Sequence, residues 1–396
     1  MQLASRLSKL EESATLAMSR LARELKAQGK DIISLSLGEP DFHTPQFIKD
    51  AAIEALNNNF TTYPPVPGYD DLRDAIVEKF KRDNGLNYKR ENIIVSTGAK
   101  QSIANVVFSC VGEGDEVLIP APYWVSYIEI VKMADGVPVV IPTTMETDFK
   151  LTADALEKAI TPKTKMLIYS SPCNPTGSVY SYDELKALAA VIEKYPDLIV
   201  ISDEIYEHIN FKGKHESLAQ FDAIFNQVVT INGVSKAWAM TGWRLGYIGA
   251  PVEIANACNK IQGQFTSGTN SIAQKAAVAA VKADVSVLTD MVAAFKNRRD
   301  LCLRLLNEIP GMKCSIPDGA FYLFPDISAY FGKKCGNTVI RTANDLSMYL
   351  LDEANVALVT GEAFGNEKCI RISYATSENI LEEAISRIKI ALAKLQ

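Results

Sequence analysis

The 396-residue chain has only three histidines, His43, His208 and His215, and its seven cysteines are scattered singly. No C-x-x-C pair occurs and no histidine neighbours a cysteine cluster, so the usual zinc ligand sets and the dithiol of a redox enzyme are both missing. The cysteines, Cys110, Cys173, Cys258, Cys302, Cys314, Cys335 and Cys369, are odd in number and fit a reducing compartment. Excess positive charge is lacking too. The 41 Lys and Arg against 47 Asp and Glu leave a formal charge of -6, which offers no field to nucleic acid or an anionic membrane. No run approaches the ~18 uncharged apolar residues of a membrane span. Arg6 and Lys9 interrupt the N-terminal residues where a signal peptide would be continuously apolar. The expectation is a cytoplasmic protein acting on small molecules, with no metal, nucleic acid or membrane.

What is present is an ordinary globular composition, 47% hydrophobic and 22% charged, which predicts a large packed core. The length leaves room for two domains at ~100–200 residues each. Short Val- and Ile-rich runs at 93–97, 166–170, 198–202 and 228–232 read as buried strands, and helical spacing appears at 100–111, 182–195 and 252–262. Such alternation predicts a doubly wound α/β sheet. From 270 to 307 the pattern is helical throughout. Short strands at 320–324 and 369–373, with a closing helix at 378–395, then predict a smaller α+β domain. The Pro-rich stretch from Tyr63 to Gly68 reads as a turn. The predicted division is 1–44 for an N-terminal arm and part of the small domain, 45–290 for the large domain and 291–396 for the small one.

In an open α/β sheet, ligands bind beyond the carboxyl ends of the strands. The four predicted strands are followed by Gly98-Ala99-Lys100, by an Asn174-Pro175 turn, by Asp203-Glu204 with Tyr206, and by Ser235-Lys236. An amine, a carboxylate and an anion-binding loop are the parts needed to hold pyridoxal phosphate. Taken singly, each has a plainer reading: a solvated lysine, an aspartate capping a helix, an Asn-Pro turn.

The longer strings carry more. SKAWAMTGWRLGY at 235–247 is similar to the signature around the cofactor lysine of class I aminotransferases, and NPTG at 174–177 and SDEIY at 202–206 follow the same family's order. The resemblance to aspartate aminotransferases, nearest their bacterial gamma subgroup, runs from the N-terminal arm to the last helix. It implies fold type I of the pyridoxal-phosphate enzymes, with a large domain whose mixed, mostly parallel sheet is flanked by helices and a smaller α+β domain. It also implies a homodimer with shared active sites.

Residue by residue, the resemblance makes Lys236 the Schiff-base lysine that moves a proton at the substrate Cα. Asp203 becomes the partner of the pyridinium nitrogen, with Asn174 and Tyr206 on the ring's phenolic oxygen and Trp124 on the ring face. Gly98, Ala99, Lys100, Ser235 and Arg244 surround the phosphate, and Tyr63 reaches it from the other subunit. Trp124 and Tyr63 also have plain packing readings. Many relatives have a hydroxyl where this chain has Gly233, which leaves the role of Ser235 open.

For substrate, Arg371 and Gly38 match contacts to the α-carboxylate. Lys100, assisted by Ser13 and Thr15 of the arm, matches the site of a distal carboxylate. The implied reaction is ping-pong transfer from L-aspartate to 2-oxoglutarate, giving oxaloacetate and L-glutamate. The alternatives are transamination with prephenate, or another amino acid of the same class. Glu11 and Glu12 stand where prephenate-active relatives have a lysine, and that acidic pair is expected to repel a second carboxylated arm.

Overall fold

The computed structural model describes residues 3–396. Seven strands form its main sheet: β1 (Ile93–Ser96), β2 (Glu116–Ala121), β3 (Val137–Pro142), β4 (Thr164–Ser170), β5 (Ile199–Asp203), β6 (Val228–Gly233) and β7 (Gly246–Gly249). Their order across the sheet is β1-β7-β6-β5-β4-β2-β3. All neighbours run parallel except β7, which is antiparallel to both β1 and β6. The sheet is therefore mixed and mostly parallel.

Side chains alternate across a strand, and here the two sets feed two apolar clusters. Val95, Leu118, Leu167, Val200 and Val228 join one; Ile94, Val117, Ile168, Ile201 and Val229 join the other. Sheets buried on both faces need near-continuous apolar strands, and β4 to β6 are apolar and buried over most of their length. Helices cover both sides, among them Ala99–Cys110, Tyr182–Ile192, Val252–Phe265 and Ser271–Lys282. Their starts are fixed locally. Ser181 and Glu184 form a reciprocal capping box, and Asn270 Oδ1 accepts from the Ala273 N–H at 2.8 Å.

The predicted 270–307 helix is in fact two. Helix Ser271–Lys282 stops at Ala283, Asp284 caps a short 3-10 turn, and helix Thr289–Leu306 follows. Asp284 Oδ1 accepts from the Ser286 N–H at 2.8 Å, a local bond that competes with continued helix. Near the C-terminus, β8 (Tyr322–Leu323), β9 (Val359–Thr360) and β10 (Ile370–Ser373) form a small antiparallel sheet in the order β9-β10-β8. The closing helix spans Glu378–Leu392. Residues Ile33–Ser34 pair in parallel with Val356–Ala357, and Ser373 N donates to Leu35 O at 2.9 Å. That pairing draws the chain's early segment, with Gly38, towards β10 and Arg371.

Candidate active site

The carboxyl ends of β4, β5 and β6 open into a cavity of about 350 Å³. Ser13, Thr15, Gly38, Ala99, Lys100, Trp124, Asn174, Asp203, Tyr206, Ser235, Lys236, Arg244 and Arg371 all border it, so nearly every residue singled out from the sequence converges on one space. Gly98 stands just behind the wall as the cap of helix Ala99–Cys110, with φ +87. Tyr63 is the exception. It is 95% exposed and borders no part of its own chain's cavity.

At one end of the cavity the helix starting at Ala99 presents free backbone N–H groups, and Arg244 lies against Gly98. A Cβ at Gly98 would come within 2.5 Å of the Arg244 guanidinium, and one at Gly246 within 2.2 Å of Ala99 N. Both glycines thus keep this cup open for an anion, which a helix N-terminus and an arginine together favour. Gly233 has a similar cause: a Cβ there would lie 2.9 Å from Leu245 O, so the close approach of β7 excludes a side chain. Ser235 is buried and borders the cavity.

Asp203 ends β5 and is buried; loss of solvent raises its carboxyl pKa to about 6. Tyr127 donates its hydroxyl to Asp203 Oδ2 at 2.7 Å. Lys236, just past β6, donates from Nζ to Gly38 O at 2.6 Å. Burial first, and then the Arg371 charge, bring its amine down to about 8. At pH 8 about half of Lys236 is therefore an unprotonated nucleophile, against roughly one in 300 for an ordinary lysine. Limited reductive alkylation of the cofactor-free chain at pH 8 with a small aldehyde should mark Lys236 ahead of the other lysines in a peptide map. Labelling spread evenly over surface lysines would contradict this.

Arg371, on β10, is 2% exposed. Its Nη1 donates to Asn174 Oδ1 at 2.9 Å and its Nη2 to Ser36 O at 2.6 Å, while Nε has no partner among the described residues. The guanidinium is also flanked by the Tyr322 and Phe364 rings, 4.6 and 4.9 Å from their centroids. Tyr322 shares a hydrogen bond of 2.8 Å with Tyr206. Lys100, at the mouth, places Nζ 5.0 Å from the centre of the Trp124 ring. Loss of solvent on its pocket side, and then the Arg244 charge, lower its pKa.

Sequence reasoning did not assign Tyr127, Tyr322, Ser36 or Phe364. Tyr127 is only three residues from Trp124, but its partner lies 76 residues away. Tyr322 meets Tyr206 across 116 residues, with no local signal.

Beside this pocket of a depressed lysine, a buried aspartate, an anion cup and a buried arginine stand the similarities of the whole chain. The model of the family "Aminotransferase class I and II" matches residues 30–388. This chain belongs to that family. Among curated relatives, the "Aspartate/prephenate aminotransferase" of Nitrosomonas europaea is 47% identical over 98% of this chain and 99% of its own length. The "Bifunctional aspartate aminotransferase and glutamate/aspartate-prephenate aminotransferase" of Petunia hybrida is 48% identical over 100% of this chain and 83% of its own. Among solved structures, the aspartate aminotransferase from Rhizobium meliloti superposes with a TM-score of 0.97 at 43% identity, each chain covered completely. This aminotransferase thus has the fold of the aspartate aminotransferases, and its substrates are amino acids and oxo acids. The family generally depends on pyridoxal phosphate.

Proposed function

We propose that this aminotransferase holds pyridoxal 5'-phosphate in the cavity and transfers the amino group of L-aspartate to 2-oxoglutarate. The observation that carries the reading is the convergence of Lys236, its amine near 8, with Asp203 and Arg371 around one space beside an anion cup. The donor set suits the cofactor. The N–H groups of Ala99 and Lys100, with Ser235 and Arg244, would hold its phosphate. Asp203 would meet the ring nitrogen, Asn174 and Tyr206 the ring oxygen, and Trp124 the ring face. When bound, the cofactor supplies an electron sink for the carbon that loses its proton.

The chain's own residues do the rest. Arg371 offers its charge and the N–H left free at Nε to the α-carboxylate, fixing the substrate so that its Cα–H points at Lys236. Lys236, whose buried amine is held near 8, would take up that proton and hold it for return. Gly38, already within 2.6 Å of the amine through its carbonyl, lies on the segment that lines the substrate's carboxylate side. Lys100 at the mouth supplies the cation for a distal carboxylate, with Ser13 and Thr15 beside it. The relative from Thermus thermophilus, 39% identical with a TM-score of 0.93, is described with maleate, a dicarboxylate.

Two measurements test the reading. Aspartate added to the cofactor-loaded protein should change the cofactor's absorbance and release one oxaloacetate per site; pyruvate or ammonia instead would point to a lyase. Lys100→Ala should lower kcat/KM for aspartate by about 10–100-fold, the 1.5–3 kcal/mol of a charged hydrogen bond, while alanine as substrate changes little. Equal losses for both would remove Lys100 from substrate recognition.

Prephenate is the second reading, and the arm's geometry favours it more than the sequence did. Glu12 is engaged by Arg20 at 2.7 and 3.1 Å, Glu11 N is held by Glu129 Oε2 at 2.9 Å, and neither acid borders the cavity. The acidic pair thus stands back from the cavity wall, which supports the prephenate reading. Prephenate as amino acceptor in the same half-reaction assay decides the point. Homodimerisation, with Tyr63 completing the neighbouring site, also belongs to the proposal; its support is the exposure of that tyrosine. The domain limits at 44 and 290 stand as part of the same reading. So does a cytoplasmic location, for which the free cysteines among the described residues speak. No helix among those residues is long and apolar enough to cross a membrane.

A further inference from the structure

Asp203 is a buried carboxylate that has to stay ionised to serve the ring nitrogen, and most of its surroundings work against that. It is 5% exposed at the end of β5. Glu204, next in the chain, adds negative charge from the protein side, where its carboxylate is held by the Ser202 and Ser217 hydroxyls at 2.8 and 2.7 Å and faces His215 Nε2 at 3.0 Å. Buried Tyr206 and Cys173 lie close by. Lys236, beyond β6, is the cation that helps, and it spends part of its time neutral. Two hydrogen bonds remain: a long one from Ile205 N at 3.3 Å and the short one from Tyr127 at 2.7 Å.

Tyr127 cannot leave or titrate away. It is 1% exposed in helix Ser126–Met133, and burial beside Asp203 pushes its phenol well above 10, so it remains a donor across the working range. Its ring packs edge-on against Trp124, with centroids 5.4 Å apart and planes at 85°. A donor fixed in place without water favours the charged form of its acceptor.

We propose that Tyr127 is a positioning residue of the transamination site, which by its hydroxyl keeps Asp203 ionised and aimed and by its ring sets the tilt of Trp124. This rests on the assignment of Asp203 to the ring nitrogen. The direction of the effect is fixed by charge: the bond lowers the Asp203 pKa from what burial alone imposes. Without the hydroxyl the carboxyl midpoint moves up from about 6, into the range where the enzyme works.

The test is Tyr127→Phe in the full chain, which removes one oxygen. In the cofactor-free protein, carbon NMR of labelled aspartate, assigned with Asp203→Asn, should place the Asp203 midpoint about one pH unit higher, a tenfold change in its protonation. In the loaded enzyme the acid limb of the aspartate half-reaction should move up by a similar interval, so that the loss is about fivefold at pH 6 and small at pH 8.5. A tyrosine that only packs would leave both midpoints where they are, and that result overturns the proposal. If the phenylalanine variant does not fold, trifluorotyrosine at 127 keeps the shape and strengthens the donor; the Asp203 midpoint must then fall. Failure of the wider reading looks different. Asp203→Asn would then leave cofactor affinity and turnover intact, whatever the carboxyl titration shows.

Discussion

Replacing Lys236 with alanine should lower turnover by on the order of 10⁴-fold or more, because on the proposed reading it removes the amine that exchanges a proton with the substrate carbon. Lys100 borders the same space, but its amine lies over the Trp124 ring, and on the proposed reading its charge serves the substrate's distal carboxylate. The fold should survive. The Lys236 amine gives only one hydrogen bond, to Gly38 O, and its burial disfavours the charged form. A depressed lysine destabilises the native state wherever the unfolded chain binds the extra proton, so removing it relieves a penalty. That penalty is complete below about pH 8 and fades as the pH rises towards the ordinary lysine value. Thermal unfolding of the cofactor-free variant at pH 7 should therefore show no loss of stability from this term. Turnover within tenfold of the parent enzyme would end the case for Lys236.

The second large effect belongs to Arg371. Replacing it with leucine should reduce kcat/KM for every amino acid by roughly 10²–10³-fold, since removing one partner of a buried, hydrogen-bonded charge contact costs about 2–5 kcal/mol. Because the α-carboxylate is common to all substrates, the ratio of aspartate to alanine should hardly change, in contrast to the Lys100 variant. The same substitution also takes a donor from Asn174 Oδ1 and from Ser36 O, both in buried surroundings. Some loss of thermal stability is expected with it, on the order of 1–3 kcal/mol for each acceptor left unmet. Arg371→Lys restores charge without the planar fork and should recover only part of the rate. A steady-state panel of amino acids across the three proteins checks all of this, and a selective loss for aspartate alone would exclude the assignment.

The central strands were legible because burial on both faces leaves near-continuous Val and Ile, and because each is followed at its carboxyl end by residues of unusual chemistry. The strands that went unread have visible reasons. β3 carries Pro138 and Pro142 and forms an edge of the sheet, where a missing N–H is tolerated. β2 contains Pro120, and its end is bound up with the cis bond before Pro122. β7 is four residues with a glycine at each end, and its first two belong to the string around Lys236. Its glycines serve neighbouring backbone and rings instead of propensity: Gly246 gives room to Ala99 and Gly249 to the Tyr88 ring.

The site shows the same division. Residues at a local turn or strand end, such as Asp203, Lys236 and Asn174, were singled out by the family's strings, each having a plainer reading alone. Residues whose task is to hold another residue were not. Tyr127 holds Asp203, Tyr322 holds Tyr206 and flanks Arg371, and Ser36 holds Arg371 from 335 positions away. Their partners are set by how segments far apart in the chain pack together, and one-dimensional spacing carries no trace of it.

The bond from Lys236 to Gly38 joins parts of the chain 198 residues apart. A group joined to that nitrogen would compete with Gly38 O for its protons, so on the proposed reading the hold on the early loop depends on what a single atom carries.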